Sequence, residues 1–196
     1  MTLLDVLLRA RTLGFLGPGP VEDHVAHATG FLEALGAVTG CVVDLGSGGG
    51  VPGLIVASER PDLNVVLVDS SAKRCEFLHE VVGQLGLAAA VVQGRAEVVG
   101  RGPLRGMVDG VVARSFGPPA ATAECAAPLL RRGGLLVVSE PPNTEDRWPA
   151  ASLAQLGLQP LFRTVTSPVM QVLELVALCS DEYPRRDGVP AKRPLF

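Results

Sequence analysis

The sequence predicts a doubly wound α/β fold with a mainly parallel sheet, on three observations. Cys41-Val-Val-Asp-Leu45 is a short apolar run of strand formers that breaks into Gly46-Ser-Gly-Gly-Gly50; Val51 to Ala57 then resumes with a helix-compatible pattern. Strand, glycine turn, helix is the ligand-binding opening of open α/β sheets. Next, Asn64-Val-Val-Leu-Val-Asp69 is a second strand pattern ending in an acid, nineteen residues after Gly50. Finally, strand-like and helix-like stretches keep alternating to about residue 156, and such alternation builds a parallel sheet with helices on both faces.

In chain order, Leu3 to Leu13 suggests a short amphipathic helix ended by Gly14 and Gly17-Pro-Gly-Pro20. A second helix is expected over Val21 to Leu35, with Val25, Ala28, Phe31, Leu32 and Leu35 on one face. His24 and His27 share a side of it; two histidines alone do not make a metal site, and a surface or lid role is expected. In the glycine stretch, glycines permit positive φ and close approach to a ligand. Pro52 suits a first helical turn, whose free N–H groups would face an anion such as a carboxylate. A helix should run from Ala72 to Leu85, a third strand from Ala89 to Val92 and a fourth from Met107 to Ala113. A helix over Pro118 to Leu130, a fifth strand over Gly134 to Ser139, a loop at Glu140-Pro-Pro-Asn143 and a helix over Ser152 to Leu156 follow. Gln159 to Thr166 and Val169 to Leu178 read as an antiparallel hairpin closing the sheet.

With 196 residues, 47% of them hydrophobic and 19% charged, the chain reads as one domain with a substantial core. We divide it into a helical cap at 1–36, a Rossmann-like core at 37–180 and a basic tail at 181–196. A formal net charge of -3 argues against broad, non-specific nucleic-acid affinity and leaves room for a local basic patch. Cys41, Cys75, Cys125 and Cys179 are scattered without metal-ligand spacing, so no metal is expected. They read as thiols in a reducing compartment. No apolar run approaches the ~18 residues of a membrane span, and the N-terminus lacks a cleavage signature. The expectation is a cytoplasmic protein with no membrane partner.

The ligand is argued from spacing. A dinucleotide fingerprint starting at the strand end needs glycine where Val51 stands, and a phosphate loop needs a lysine at the helix start that the chain lacks. Asp44-x-Gly46-x-Gly48-x-Gly50, an acid with alternating glycines, resembles motif I of class I S-adenosylmethionine methyltransferases. Asp69 stands where an acid on the next strand reaches a ribose diol; capping the following helix is its other reading, and both roles can hold together. Glu97 either lies along an adenine ring or simply opens a short helix. Arg114-Ser-Phe116 ends the fourth strand at the sheet's ligand edge. Phe116 either walls the substrate or cofactor pocket or packs in the core. The tail from Tyr183 to Phe196 carries Arg185, Arg186, Lys192 and Arg193 against Asp187. Arginines fork onto phosphates and Tyr183 can stack on a base; a solvated arm is the plainer alternative.

Val43-Asp-Leu-Gly-Ser-Gly-Gly-Gly-Val-Pro-Gly53, Arg60-Pro-Asp62, Leu67-Val-Asp-Ser-Ser-Ala-Lys-Arg-Cys-Glu-Phe-Leu78, Gly94-Arg-Ala-Glu97, Ala113-Arg-Ser-Phe116 and Tyr183-Pro-Arg-Arg-Asp-Gly-Val-Pro-Ala-Lys192 together resemble the bacterial small-subunit rRNA guanine-N7 methyltransferase G family, also called glucose-inhibited division protein B. That resemblance implies a class I methyltransferase fold with a seven-stranded sheet and antiparallel last strand. It implies S-adenosylmethionine as cofactor and ribosomal RNA, naked or in the small subunit, as partner. Gly46 and Val51 would then line the methionine-side pocket; Asp44 and Gly48 are further cofactor candidates from the general methyltransferase motif, which together with spacing also gives Asp69 the diol. Ala96 and Glu97 would lie against adenine, and Arg114 would border the opening between cofactor and substrate. Three departures stand out. The N-terminal region is shorter and lacks an Asn-Leu-Thr stretch, His24-Val-Ala-His27-Ala28 replaces a His followed by Asp-Ser, and Glu140-Pro141 replaces Lys-Gly. The expected activity is methyl transfer to guanine N7; the alternatives are another nucleic-acid or small-molecule methyltransferase, a non-catalytic cofactor binder, and a nicotinamide oxidoreductase.

Overall fold

The computed structural model describes residues 1–141, 146–165 and 167–196. The distal part of the loop expected at 140–143, and residue 166 at the end of the first hairpin strand, lie outside them. Seven strands form one sheet in the order β3-β2-β1-β4-β5-β7-β6. β1 (Gly40–Leu45) is central, paired parallel with β2 (Leu63–Asp69) on one side and β4 (Val108–Ala113) on the other. β3 (Ala89–Gln93) continues parallel beyond β2, and β5 (Leu130–Glu140) beyond β4. β7 (Val169–Leu175) runs antiparallel to both β5 and β6 (Leu158–Arg163), as the hairpin pattern predicts.

Strand alternation sorts the core into two layers. Val42, Leu67, Val112 and Val137 face a layer that includes Phe31, Leu35, Leu54 and Phe77. Their neighbours Val43, Val68, Val111 and Leu136 face the opposite layer with Ala123, Ala126 and Leu153. The first layer holds α2 (Val21–Leu35), α3 (Gly53–Glu59) and α4 (Ala72–Leu85), with α1 (Leu3–Thr12) packed on α2. The segment 1–36 is thus continuous with the core, because α2 lies against β5 and β7. On the other face lie α5 (Ala96–Val99), α6 (Pro119–Ala126) and α7 (Ala150–Leu153); the short α8 (Val189–Lys192) packs on α6.

α2 and α4 occupy the ranges that the sequence predicts. α6 is shorter than expected: Pro128 has no N–H for another turn, and Leu130 already belongs to β5. The polar interruption at Asp109 also has a use. Its carboxylate accepts the Cys41 N–H at 2.7 Å and the Arg131 Nε–H, tying three strands together at the edge away from the glycine loop. No helix among the described residues is long and apolar enough to cross a membrane.

Candidate active site

The glycine loop folds on hydrogen bonds from its own neighbours. The Gly46 and Ser47 N–H groups both donate to the Val68 carbonyl, at 2.8 and 2.9 Å, and Ser47 Oγ donates to the Asp44 carbonyl at 2.9 Å. The Asp44 carboxylate turns inward and accepts the Gly53 N–H at 3.0 Å. This corrects one expectation: the first N–H of α3 is taken by the protein's own acid and does not face a ligand. Asp44 is fully buried, and burial pushes its pKa up to about 7 against the opposing bonds from Gly53 and Ser47. It lines none of the cavities described below and shapes the loop from beneath. The Val-Pro-Gly sequence has a packing reason. A Cβ at Gly53 would come within 2.5 Å of Asp44 Oδ2 and 2.3 Å of Leu67 Cδ2, so only glycine lets α3 start this close to the sheet.

Asp69 ends β2 beside that loop. One carboxylate oxygen accepts the Gly48 N–H at 2.9 Å and the other the Ser71 N–H at 2.8 Å, with Arg74 Nη1 at 3.6 Å. Loop and helix start are thus both tied to it. A carboxylate offers about four acceptor positions, so a pair of hydroxyls can still be received. Asp69, Gly46, Ala96, Glu97 and Phe116 line one cavity of about 300 Å³.

The tail is folded onto that cavity. Glu97 Oε1 accepts the Gly188 N–H at 2.7 Å and Arg95 Nη2 at 3.2 Å. Burial alone would raise Glu97, yet those donors hold it below the usual carboxylate range. Pro190 and Ala191 form part of the cavity wall. Arg185 does not project: its guanidinium grips the wholly buried Glu124 of α6 at 2.6 and 2.9 Å, and its N–H adds a bond at 2.8 Å. Arg105 reaches the Tyr183 carbonyl at 2.7 Å. Arg186, Lys192 and Arg193 remain exposed.

A second cavity of about 230 Å³ lies under the loop between α1 and α2, lined by Leu16, Gly48, Val51, Arg74, Arg114 and Ser115. It shares Gly46, Arg74 and Ser115 with the first. A third, of about 430 Å³, contains His27, Arg114, Phe116, Glu140, Arg147 and Trp148 in its wall. Arg114 therefore borders the second and third cavities, Phe116 the first and third, and Ser115 all three. Ser115 has φ 54°, the single positive value at a non-glycine residue among the described ones, and such strain concentrates at ligand sites. Across the ring, Phe116 Cδ2 sits 2.8 Å from where a Gly46 Cβ would be.

Arg114 Nη2 is bonded to His24 Nδ1, whose Nε2 lies 3.1 Å from the Gly17 carbonyl. That carbonyl requires an Nε2–H, which leaves Nδ1 as the acceptor from Arg114. His24 is accordingly buried and orients the arginine, where the sequence suggested a surface or lid role. Nothing in the sequence signals that Arg74, Ser115, Trp148, Pro190 and Ala191 share these cavities. Arg74 sits in the Lys-Arg run after Asp69 and Trp148 is the chain's one tryptophan, faint signals at best.

The rRNA small subunit methyltransferase G family model matches residues 21–156. The chain belongs to that family. Its cofactor is S-adenosylmethionine. The chain is 35% identical to ribosomal RNA small subunit methyltransferase G of Rubrobacter xylanophilus over 210 aligned positions, covering 98% of this chain and 80% of that one. It is 37% identical to the Deinococcus radiodurans protein of the same name over 79% of this chain, spanning 65% of that relative's length. Among solved structures, an S-adenosylmethionine-dependent methyltransferase from Aquifex aeolicus superposes with a TM-score of 0.61 at 16% identity, over 87% of this chain and 98% of that one. The aminoglycoside resistance methyltransferase NpmB1 gives 0.57 at 20% identity, over 76% and 93%. These likenesses show the class I methyltransferase fold.

The residues of this chain fit the cofactor's chemistry. Asp69 has acceptor positions to spare for a diol, Ala96 and Glu97 line the same cavity, and Arg74 and Arg114 bring positive charge to the second cavity, where a carboxylate would be balanced.

Proposed function

We propose that this chain transfers a methyl group from S-adenosylmethionine to guanine N7 in small-subunit rRNA. The observation that carries this reading is the meeting of three cavities at Ser115, two of which suit the cofactor while the third is left for the acceptor base. Asp69, Ala96 and Glu97 hold the nucleoside end; Gly46, Gly48, Val51 and Arg114 surround the methionine end; Asp44 keeps the loop in shape. Bound there, the cofactor would supply an electrophilic methyl, leaving the S–CH3 electron pair on sulfur and the positive charge on the purine. N7 already carries a free lone pair, so no base need remove a proton before attack. What the protein contributes is placement, and orientation of reacting groups is worth roughly 7–11 kcal/mol. Arg114 and Phe116 stand between cofactor and base and are its positioning residues.

The exposed Arg186, Lys192 and Arg193 are the tail groups left to meet RNA, whereas Tyr183 is half-buried against the core and Arg185 serves the tail's own attachment. A ribosomal RNA substrate places the reaction in the cytoplasm. The test is transfer of labelled methyl from S-adenosylmethionine to small ribosomal subunits, and to naked rRNA, from cells lacking this gene, with mass mapping of the product. Label at one guanine N7 is expected. Label absent from rRNA, or at another atom, would reject the reading.

A further inference from the structure

The third cavity has an unusual wall. Glu140 ends β5, and its side chain is only 3% exposed. Among the described residues its carboxylate meets Arg147 Nη1 alone, at 3.4 and 3.5 Å. Charge-assisted bonds of this type run about 2.7–2.9 Å, so this buried acceptor is poorly served. Around it, three lining residues each keep a buried polar atom without any partner: His27 Nε2, Arg114 Nη1 and Trp148 Nε1. Guanidinium and indole nitrogens only donate. Burial, followed by the charge on Arg114, pulls His27 below the usual histidine range, which keeps its ring neutral. Leaving a buried polar group unmet is costly, and native proteins rarely tolerate several at one place. They are shut off from water in this arrangement, so a ligand would meet them after a small turn of each side chain.

We propose that this cavity is a purine pocket in which Glu140 reads guanine, its carboxylate accepting N1–H and the exocyclic 2-amino group together. The inference rests on the methyltransferase reading above. The argument is one of matching edges. A carboxylate presents two acceptors side by side, and guanine alone among the RNA bases presents two parallel donors on its Watson–Crick edge. Adenine and cytosine each pair one donor with acceptors, and uracil has a single N–H. Guanine O6 is an acceptor suited to the orphaned donors of Arg114 or Trp148. Phe116, shared with the cofactor cavity, gives a flat wall for stacking. Enzymes that modify a base commonly read its extruded Watson–Crick edge in this manner.

Glu140 also has a consequence for rate. Transfer to N7 puts positive charge on the purine, which strengthens the bond from N1–H to a buried carboxylate as the transition state forms. An interaction that grows in the transition state raises kcat and not only affinity.

The test uses full-length protein saturated with S-adenosylhomocysteine and titrated with GMP, IMP and AMP. IMP differs from GMP by loss of the 2-amino group. Wild type should favour GMP by roughly tenfold or more, the scale of losing one hydrogen bond to a charged group. Glu140→Ala should bind GMP and IMP equally, with S-adenosylmethionine affinity unchanged because Glu140 lies outside the cofactor cavities. Glu140→Gln, which offers one acceptor and one donor, should slow single-turnover methyl transfer to small subunits more than it weakens subunit binding. If Glu140 merely anchors Arg147, the variant loses affinity for all three nucleotides alike, and that result overturns the proposal. So does wild-type binding of GMP that is absent or no tighter than that of IMP. Label transfer to rRNA by a wild type without GMP preference would sink the guanine pocket and leave the methyltransferase standing. A GMP preference without label transfer would do the reverse.

Discussion

The proposed cofactor side and base side of this cleft treat polar groups in opposite ways. On the cofactor side, Asp44, Asp69 and Glu97 each accept a backbone N–H from a glycine or its neighbourhood at 3.0 Å or less. On the base side, among the described residues, His27, Arg114 and Trp148 each leave an atom unpaired, and Glu140 has only long contacts. The first half is finished by the chain itself, down to the folded tail against Glu97. The second half is built around bonds that the chain does not make. A cofactor that binds in every turnover is served by a rigid, preorganised site; a base that must be told from three others is served by groups left unsatisfied until the right one arrives.

The largest expected effect is at the tail that completes the cofactor half. Arg185→Ala leaves Glu124 buried and unpaired, and breaking such a pair from one side costs about 3–5 kcal/mol. Arg186→Ala, at an exposed neighbour, should stay within about 0.5 kcal/mol. Denaturant unfolding of both variants checks the contrast; equal effects would show that the clasp does not hold. Deleting 183–196 should also weaken S-adenosylmethionine binding, since Pro190, Ala191 and the Gly188 N–H go with it, whereas a solvated arm would leave cofactor affinity intact.

Next comes the pH dependence beneath the glycine loop. Burial raises the folded pKa of Asp44 to about 7, above its unfolded value near 3.8. The folded state therefore binds more protons between those values, and Asp44's contribution is full below pH ~4 and lost as pH rises through 7. A tenfold change in a proton's binding constant is worth about 1.4 kcal/mol, so the whole effect is on the order of a few kcal/mol. Asp44→Asn keeps an acceptor for the Gly53 N–H and removes the charge. Its stability relative to wild type should improve as pH rises from 4 to 7; a constant difference would mean that Asp44 titrates normally.

How much of this was legible in the sequence differs between the halves for a physical reason. Strand, glycines, helix and acid are local patterns, so β1, the loop, β2 and α4 could be read from residues 41 to 85. Asp69 was singled out by its spacing and Glu97 by the family resemblance. The base half gathers His27, Arg114, Glu140 and Trp148 from four segments, which become neighbours because β4 lies beside β5 and α2 lies across β5. No periodicity reports that. The tail misled in another way: its basic composition suggests an outward arm, while Arg185 finds its partner 61 residues away. The signal was Glu124, a charge inside the alanine-rich run of α6, which had to be buried with a counter-charge.

A smaller effect would sharpen the cofactor half. Asp69→Ala removes the acceptor proposed for the diol together with two backbone bonds. Hydrogen bonds to a charged group are worth about 1.5–3 kcal/mol, so calorimetry should show S-adenosylmethionine binding weakened by that amount. Unchanged affinity would reduce Asp69 to a brace between loop and helix.

The smallest effect separates RNA from cofactor within the tail itself. Arg186, Lys192 and Arg193 are exposed, and Lys192 closes the turn of α8 that begins beside the cofactor cavity with Pro190 and Ala191. The docked tail thus presents one face to the cofactor and its remaining cations to solvent. Such cations gain little from one another, but each phosphate they neutralise releases counterions and adds about 0.7–0.9 to the salt slope of log affinity. Replacing all three by Gln should therefore flatten the salt dependence of subunit binding by roughly two units if each meets one phosphate. Cofactor affinity and stability should be unchanged, in contrast to Arg185→Ala. Should the slope stay as in wild type, the tail belongs wholly to the cofactor half, and contact with RNA phosphates must come from elsewhere on the cleft's rim.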